Sequence, residues 1–372
     1  MSTTSEQIPP GPRSSGSAAT ESIRSAWQNG FIASPAYDLY FFILSPLLAL
    51  TIVLTLDLTP SSWATQKTTL FGMKAPLITL FIGSWTFAHL FAVIFRSHAN
   101  PMVFKRHWPR FVIVPGALFL LFMNDLRALS IGLVIASFWD VYHTSMQNFG
   151  FCRIYDSKMG NSTEQGRTLD IWLNHLVYIG PIFMGLSLQP HLDFLLGLQS
   201  EGIGWDATPF LITPVLSAQT AITQAILCIG AVFLAYYIYA YWRLCQNGYR
   251  ISPQKILLIL STACGSIWAW AFLPVFHAFF VANFFHGLQY IAIVWWTERN
   301  TMTQTLRLPL QPWGRSTALV VYLVVIGSAG IWYRVSAFGV DATTLAISIA
   351  TVISLMHFWY DGFIWSVRKA EV

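Results

Sequence analysis

Apolar residues dominate the chain from about Tyr37 onward, in long runs broken by short polar stretches. A bilayer core about 30 Å thick requires roughly 20 apolar residues per crossing helix. Ten runs approach that length: 38–58, 75–96, 110–124, 129–151, 170–189, 217–243, 255–273, 275–297, 316–334 and 342–365. The third is the shortest, and Pro274 alone separates the seventh from the eighth. The pattern predicts an all-α, polytopic transmembrane bundle of about ten spans. Residues 37–368 form one membrane domain in this reading. Residues 1–36, rich in Ser, Gly, Pro and Thr, form a disordered cytoplasmic tail. The tail lacks the apolar core of a signal peptide.

Charge fixes the expected orientation. When the segments between runs are assigned alternately to two sides, the 21 Lys and Arg divide 17 to 4. The positive-inside rule then places both termini in the cytoplasm. Trp295, Trp296 and Trp365 close their runs at the cytoplasmic face, where interfacial aromatics belong.

Composition narrows the class. The 372 residues are 55% hydrophobic and only 10% charged, against about 25% charged for a soluble domain. The net charge of +5 sits in short loops, which points to anionic lipid and away from nucleic acid. The expected location is a bacterial inner (cytoplasmic) membrane. The four cysteines show no CxxC spacing and read as structural thiols.

Ionisable residues within spans are costly to bury and are functional candidates by default. Four histidines lie deep: His89, His143, His286 and His357, in the second, fourth, eighth and tenth runs. All four runs pass from outside to inside. Arg96, Arg153, Arg299 and Arg368 follow the histidines by 7, 10, 13 and 11 residues. At about 1.5 Å per residue the four share a layer roughly 10–20 Å from the inner boundary. Four imidazoles in one layer suggest a transition-metal site. His98, His175 and His277 lie nearer the run ends and are further candidates.

Polar neighbours stand about one turn away. Asp361 follows His357, Asp140 and Gln147 flank His143, and Asn283 and Tyr290 flank His286. Asp140, Asp361 and Asn283 are candidates to orient the metal ligands, as partners of metal-bound histidines do. Gln147 and Tyr290 are candidates to contact bound oxygen. Phe149, Phe151, Phe284, Phe285, Trp359 and Tyr360 could line an apolar pocket.

Absences exclude several alternatives. No run contains a glutamate or a Glu-x-x-His pair, against a carboxylate-bridged di-iron bundle. HxxHH clusters and HExxH are missing, against membrane desaturases and intramembrane zinc proteases. Every lysine falls at a run end or in a loop, against a rhodopsin-like Schiff base.

The segments HTSMQNFG at His143, FFHGLQY at His286 and HFWYDGFIW at His357 resemble those of the Brp/Blh family, the bacterial membrane β-carotene 15,15'-dioxygenases. The resemblance covers three short stretches and lacks the family's His-Gly-x-x-Asp-His type segment. It implies a non-haem Fe(II) held by histidines from several helices, with O₂ cleaving a carotenoid to retinal. By position, His143 matches the family's His-x-x-(Gly)-Gln type span, and His89, His286 and His357 supply the other ligands. The expected activity is that of an iron-dependent membrane oxygenase or oxidoreductase acting on a lipophilic substrate, with isoprenoids and carotenoids as the candidates. Two alternatives stay open: a haem b electron carrier, and a proton-coupled transporter with a histidine relay.

Overall fold

The computed structural model describes residue 27 and residues 30–56, 66–70, 73–185, 188–190, 192–193, 208–337 and 343–365. The sequence expectations for residues 1–26 and for His191 and Arg368 lie outside the described residues. A helical turn, Pro35–Tyr37, runs into a π-helical segment, Asp38–Ile43, which is bent by 56° from α1 (Ser45–Thr55). Then come an antiparallel hairpin, β1 (Lys67–Leu70) and β2 (Met73–Pro76), and helices α2 (Leu77–Ser97), α3 (Pro101–Asn124) and α4 (Leu126–Lys158). The shorter α5 (Arg167–Tyr178), α6 (Gly180–Met184) and α7 (Thr208–Ser217) follow. The last five are α8 (Gln219–Gln246), α9 (Pro253–Phe272), α10 (Val275–Thr305), α11 (Pro312–Ser336) and α12 (Thr344–Ile364).

Among the described residues the fold is all-α apart from the hairpin. Six of the described helices, α2 and α8 to α12, are long and apolar enough to cross a membrane, and the bent pair around α1 makes up to seven. The sequence pattern predicts about ten. The differences have local causes. The 110–124 run continues an Asn100-capped helix whose first half carries Lys105, Arg106 and Arg110. The 170–189 run is divided between α5 and α6. In α4 the polar residues Asp140, His143, Gln147 and Asn148 interrupt the apolar stretch, and that same helix delivers a candidate ligand.

Helix ends follow local chemistry. Asp125 accepts hydrogen bonds from the Arg127 and Ala128 N–H groups and starts α4. Ser252 caps α9, with Pro253 at its first position. Pro274, which lacks an N–H, separates α9 from α10 as the sequence predicts.

Helix α10 is the axis and packs against α1, α2, α9 and α11. Lipid gives no hydrophobic drive between helices, so close packing and interhelical hydrogen bonds hold such a bundle. Tyr37 Oη donates to the Ala292 carbonyl at 2.9 Å and Tyr322 Oη to the Ile291 carbonyl at 3.1 Å. Trp85 Nε1 donates to the Asn283 carbonyl at 3.2 Å. Such bonds contribute about 0.6 kcal/mol each. Gly287 allows α2 and α10 to approach: a Cβ there would lie 2.6 Å from Trp85 Nε1 and 3.3 Å from His89 Cβ.

Candidate metal centre

Four helices each bring one imidazole to a common point: His89 from α2, His143 from α4, His286 from α10 and His357 from α12. Ring centroids lie 4.9 Å apart for His89–His286, 5.1 Å for His143–His286, 4.9 Å for His143–His357 and 5.3 Å for His89–His357. All four side chains are buried.

Their hydrogen bonding is uneven. His357 Nδ1 lies 3.1 Å from the Leu90 carbonyl. The carbonyl can only accept, so Nδ1 carries the proton and Nε2 presents a lone pair. That Nε2 is 3.1 Å from His143 Nε2. Two nitrogens bound to one ion at about 2.0–2.1 Å, with angles between about 90° and 109°, stand about 2.8–3.4 Å apart. The observed spacing therefore suits neighbouring ligands of one metal. In His89 and His286 both ring nitrogens are buried without a hydrogen-bond partner. The Thr86 carbonyl lies near the His89 ring but outside hydrogen-bond geometry. Each unsatisfied buried polar group costs about 1–3 kcal/mol, and a bound cation removes that cost for the nitrogens it engages.

Asp361 adds a carboxylate. Its Oδ2 is 3.7 Å from His143 Nε2 and 3.9 Å from His357 Nε2. Its Oδ1 accepts from Tyr290 Oη at 2.8 Å and from Trp365 Nε1 at 3.0 Å. Oδ1 is thus held by two donors while Oδ2 faces the imidazoles. Two triads have ligand atoms within 4.8 Å of one another: His89, His286 and His357, and His143, His357 and Asp361. The sequence expectation gives Asp361 an orienting role; its geometry also suits direct ligation. Trp365, read from sequence as an interfacial anchor, is tied to this carboxylate. Trp365 stands four residues after Asp361, the spacing of one helical turn, whereas the approach of Asp361 to His143 depends on how α12 meets α4.

The other candidates divide. Tyr290 packs its ring 4.4 Å from that of His357, centroid to centroid. Gln147 donates through Nε2 to the His286 carbonyl at 3.1 Å and to Gln289 Oε1 at 3.0 Å, leaving its buried Oε1 without a partner. Asn283 accepts from Thr86 Oγ1 and donates to the Phe279 carbonyl, with no hydrogen bond to an imidazole. Asp140 likewise makes no hydrogen bond to the four rings among the described residues, and it interacts electrostatically with Tyr178. His98 is bonded to Ser97 and the Phe111 carbonyl, and His175 to Ser145. His98, His175 and His277 belong to neither triad.

A cavity of about 560 Å³ reaches the site. His143, Gln147, Tyr290 and Asp361 line one part of it, with Trp139, Tyr142, Phe149, Phe151 and Trp359 among its apolar walls. Phe284, Phe285 and Tyr360 pack elsewhere: Phe284 stacks on Trp85, Phe285 meets Tyr178 edge-on, and Tyr360 meets Phe111.

A second buried polar cluster escaped the sequence reading. Arg153 Nη1 lies 2.8 Å from both Asp156 Oδ2 and Asp170 Oδ2. Lys255 Nζ lies 2.8 Å and 2.7 Å from the same two oxygens. Tyr237 and Tyr241 donate to Asp170 Oδ1, and Tyr249 donates to Asp156 Oδ1. The cluster joins α4, α5, α8 and α9.

Comparison of the chain with protein-family models, with curated proteins and with solved structures gives no match.

Proposed function

We propose that the chain is an integral membrane non-haem iron oxygenase or oxidoreductase that uses O₂ on a lipophilic substrate. The observation that carries this reading is the pair His89 and His286. Their four buried ring nitrogens have no hydrogen-bond partner, and they stand beside two further imidazoles and a carboxylate. A relay or packing histidine would be satisfied by a neighbour; a metal ligand waits for its ion. His89, His143, His286 and His357 would hold the metal, with Asp361 as a further ligand or anchor. The N/O donor set suits Fe(II), and iron bound there would supply O₂ activation. One compact cluster fits a single ion better than two haems, which require separate pairs of histidines.

The chain's own residues have distinct roles. The Leu90 carbonyl fixes the His357 tautomer, and Tyr290 and Trp365 fix the Asp361 carboxylate. Gln147 Oε1 offers an acceptor at the cavity wall. The aromatic walls admit an apolar molecule and exclude water. The same proposal includes ten membrane crossings with both termini in the cytoplasm, supported by the 17-to-4 division of basic residues. It also includes a place in a bacterial cytoplasmic membrane and a Brp/Blh-like ancestry, supported by the three histidine segments.

Elemental analysis and a visible spectrum of one detergent-purified sample test the reading. About one iron per chain without a Soret band is the expected result. A strong Soret band would make the chain a haem electron carrier. No metal after iron-supplemented expression would leave a proton-coupled transporter.

A further inference from the structure

The cavity is polarised along its length. Its metal end carries the carboxylate of Asp361, whereas another part of its wall carries Arg153, Thr163 and Arg167. Both landmarks lie on or beside α4. His143 and Arg153 are ten residues apart on this unbroken helix, which places them about 15 Å apart along its axis. That is half of a hydrocarbon core of roughly 30 Å.

The basic end has features of a built site. Arg153 is only 3% exposed. Its two terminal nitrogens bind Asp156, Asp170 and the carbonyls of Ser162 and Thr163. Its Nε is buried without a hydrogen-bond partner. The Arg167 guanidinium lies over the ring of Phe149, itself a wall of the cavity, at 5.0 Å from the centroid. Asp156 and Asp170 face Arg153 and Lys255, two charges against two. Asp361 is the one carboxylate in the cavity lining, and it stands at the metal end.

We infer that the cavity takes a single-chain amphiphile with an anionic head, carboxylate or phosphate, seated at Arg153 and Arg167. Its apolar chain follows α4 past Phe149, Met146 and Tyr142, so that a segment about 15 Å from the head meets His143. The molecule would keep the orientation it has in the leaflet on the arginine side. A cavity of about 560 Å³ suits one chain, within the 300–1,000 Å³ usual for small-ligand sites. The inference rests on the proposed metal site only for what the chain meets at its far end; the head site stands on its own residues.

The test uses the whole protein in neutral detergent and three probes of equal chain length: a fatty acid, its methyl ester and a single-chain phosphate monoester. Each carries a nitroxide near the chain end, and binding is followed by its spin-label spectrum. Either anionic probe should bind about tenfold or more tighter than the ester, and the ratio between the two anions identifies the head. Arg167→Gln should abolish that preference and Arg167→Lys should keep part of it. Arg153 is left intact because it also braces the fold. Equal binding of all three probes, or an Arg167→Gln protein that still prefers the anions, would overturn the inference. Iron content measured on the same samples decides the metal reading separately. In iron-loaded protein a label near the chain end should be broadened more than one beside the head; the reverse order would overturn the proposed orientation.

Discussion

Two buried polar clusters occupy this bundle, and they differ in how completely they are satisfied. Around Asp156 and Asp170, four charged groups and three tyrosine hydroxyls meet with hydrogen bonds on every carboxylate oxygen. Around His89 and His286, four ring nitrogens have no hydrogen-bond partner. The first cluster joins helices, and its carboxylates are satisfied within the chain. The second leaves the nitrogens of two imidazoles without a hydrogen-bond partner among the described residues. Buried polarity alone therefore does not mark a functional site; partnerless groups of one chemistry converging on one point are the stronger sign.

The largest effect that would break this contrast concerns the ligands. His286→Ala should abolish iron binding while the helical circular dichroism stays unchanged. Chelation should then lower the melting temperature of the parent protein but leave that of the variant where it is. A variant that retains full iron would remove His286 from the site. Next comes Lys255→Met, which leaves two carboxylates facing one cation. A loss of about 3–5 kcal/mol is expected for breaking a buried pair, read from unfolding in detergent, with iron per folded chain unaltered. If iron falls in step, the two clusters are one functional unit.

A sign reversal sharpens the contrast further. In metal-free protein, His89→Leu should stabilise by about 1–3 kcal/mol, because it removes two orphaned nitrogens. Destabilisation of that size instead would mean that the imidazole is already satisfied. The smallest effect belongs to Trp365→Phe. It removes one of two donors to Asp361 Oδ1 and should weaken iron retention by about 0.5–1.5 kcal/mol, seen as faster loss to a chelator.

Sequence and structure met most closely at the histidines. Depth counting on separate helices is a one-dimensional measurement, and the four candidate residues converge in the fold. Rotation about each helix axis was less legible. Asp140 and Asn283 stand near candidate ligands in sequence, yet their side chains turn to other helices. Asp361 shows the opposite: its distance from His143 depends on the meeting of α4 and α12, which no local pattern encodes. The ionic cluster was hidden for a related reason. Asp156, Asp170 and Lys255 sit at helix ends, where charges are ordinarily solvated, and only the joining of α4, α5 and α9 buries them. The span count reflects composition: in α4, the polar residues that serve the interior also dilute the apolar signal of a membrane helix.

The residues of the candidate metal centre come from four helices well separated in the chain, from His89 on α2 to His357 and Asp361 on α12. Because α12 follows α2, α4 and α10 in the chain, His357 and Asp361 leave the ribosome after the other three histidines. Three imidazoles can be in the membrane while the fourth, together with the carboxylate, is still being translated. The four-histidine cluster therefore closes only after α12 has been made, and a nascent chain halted before α12 would carry three of the histidines without the fourth.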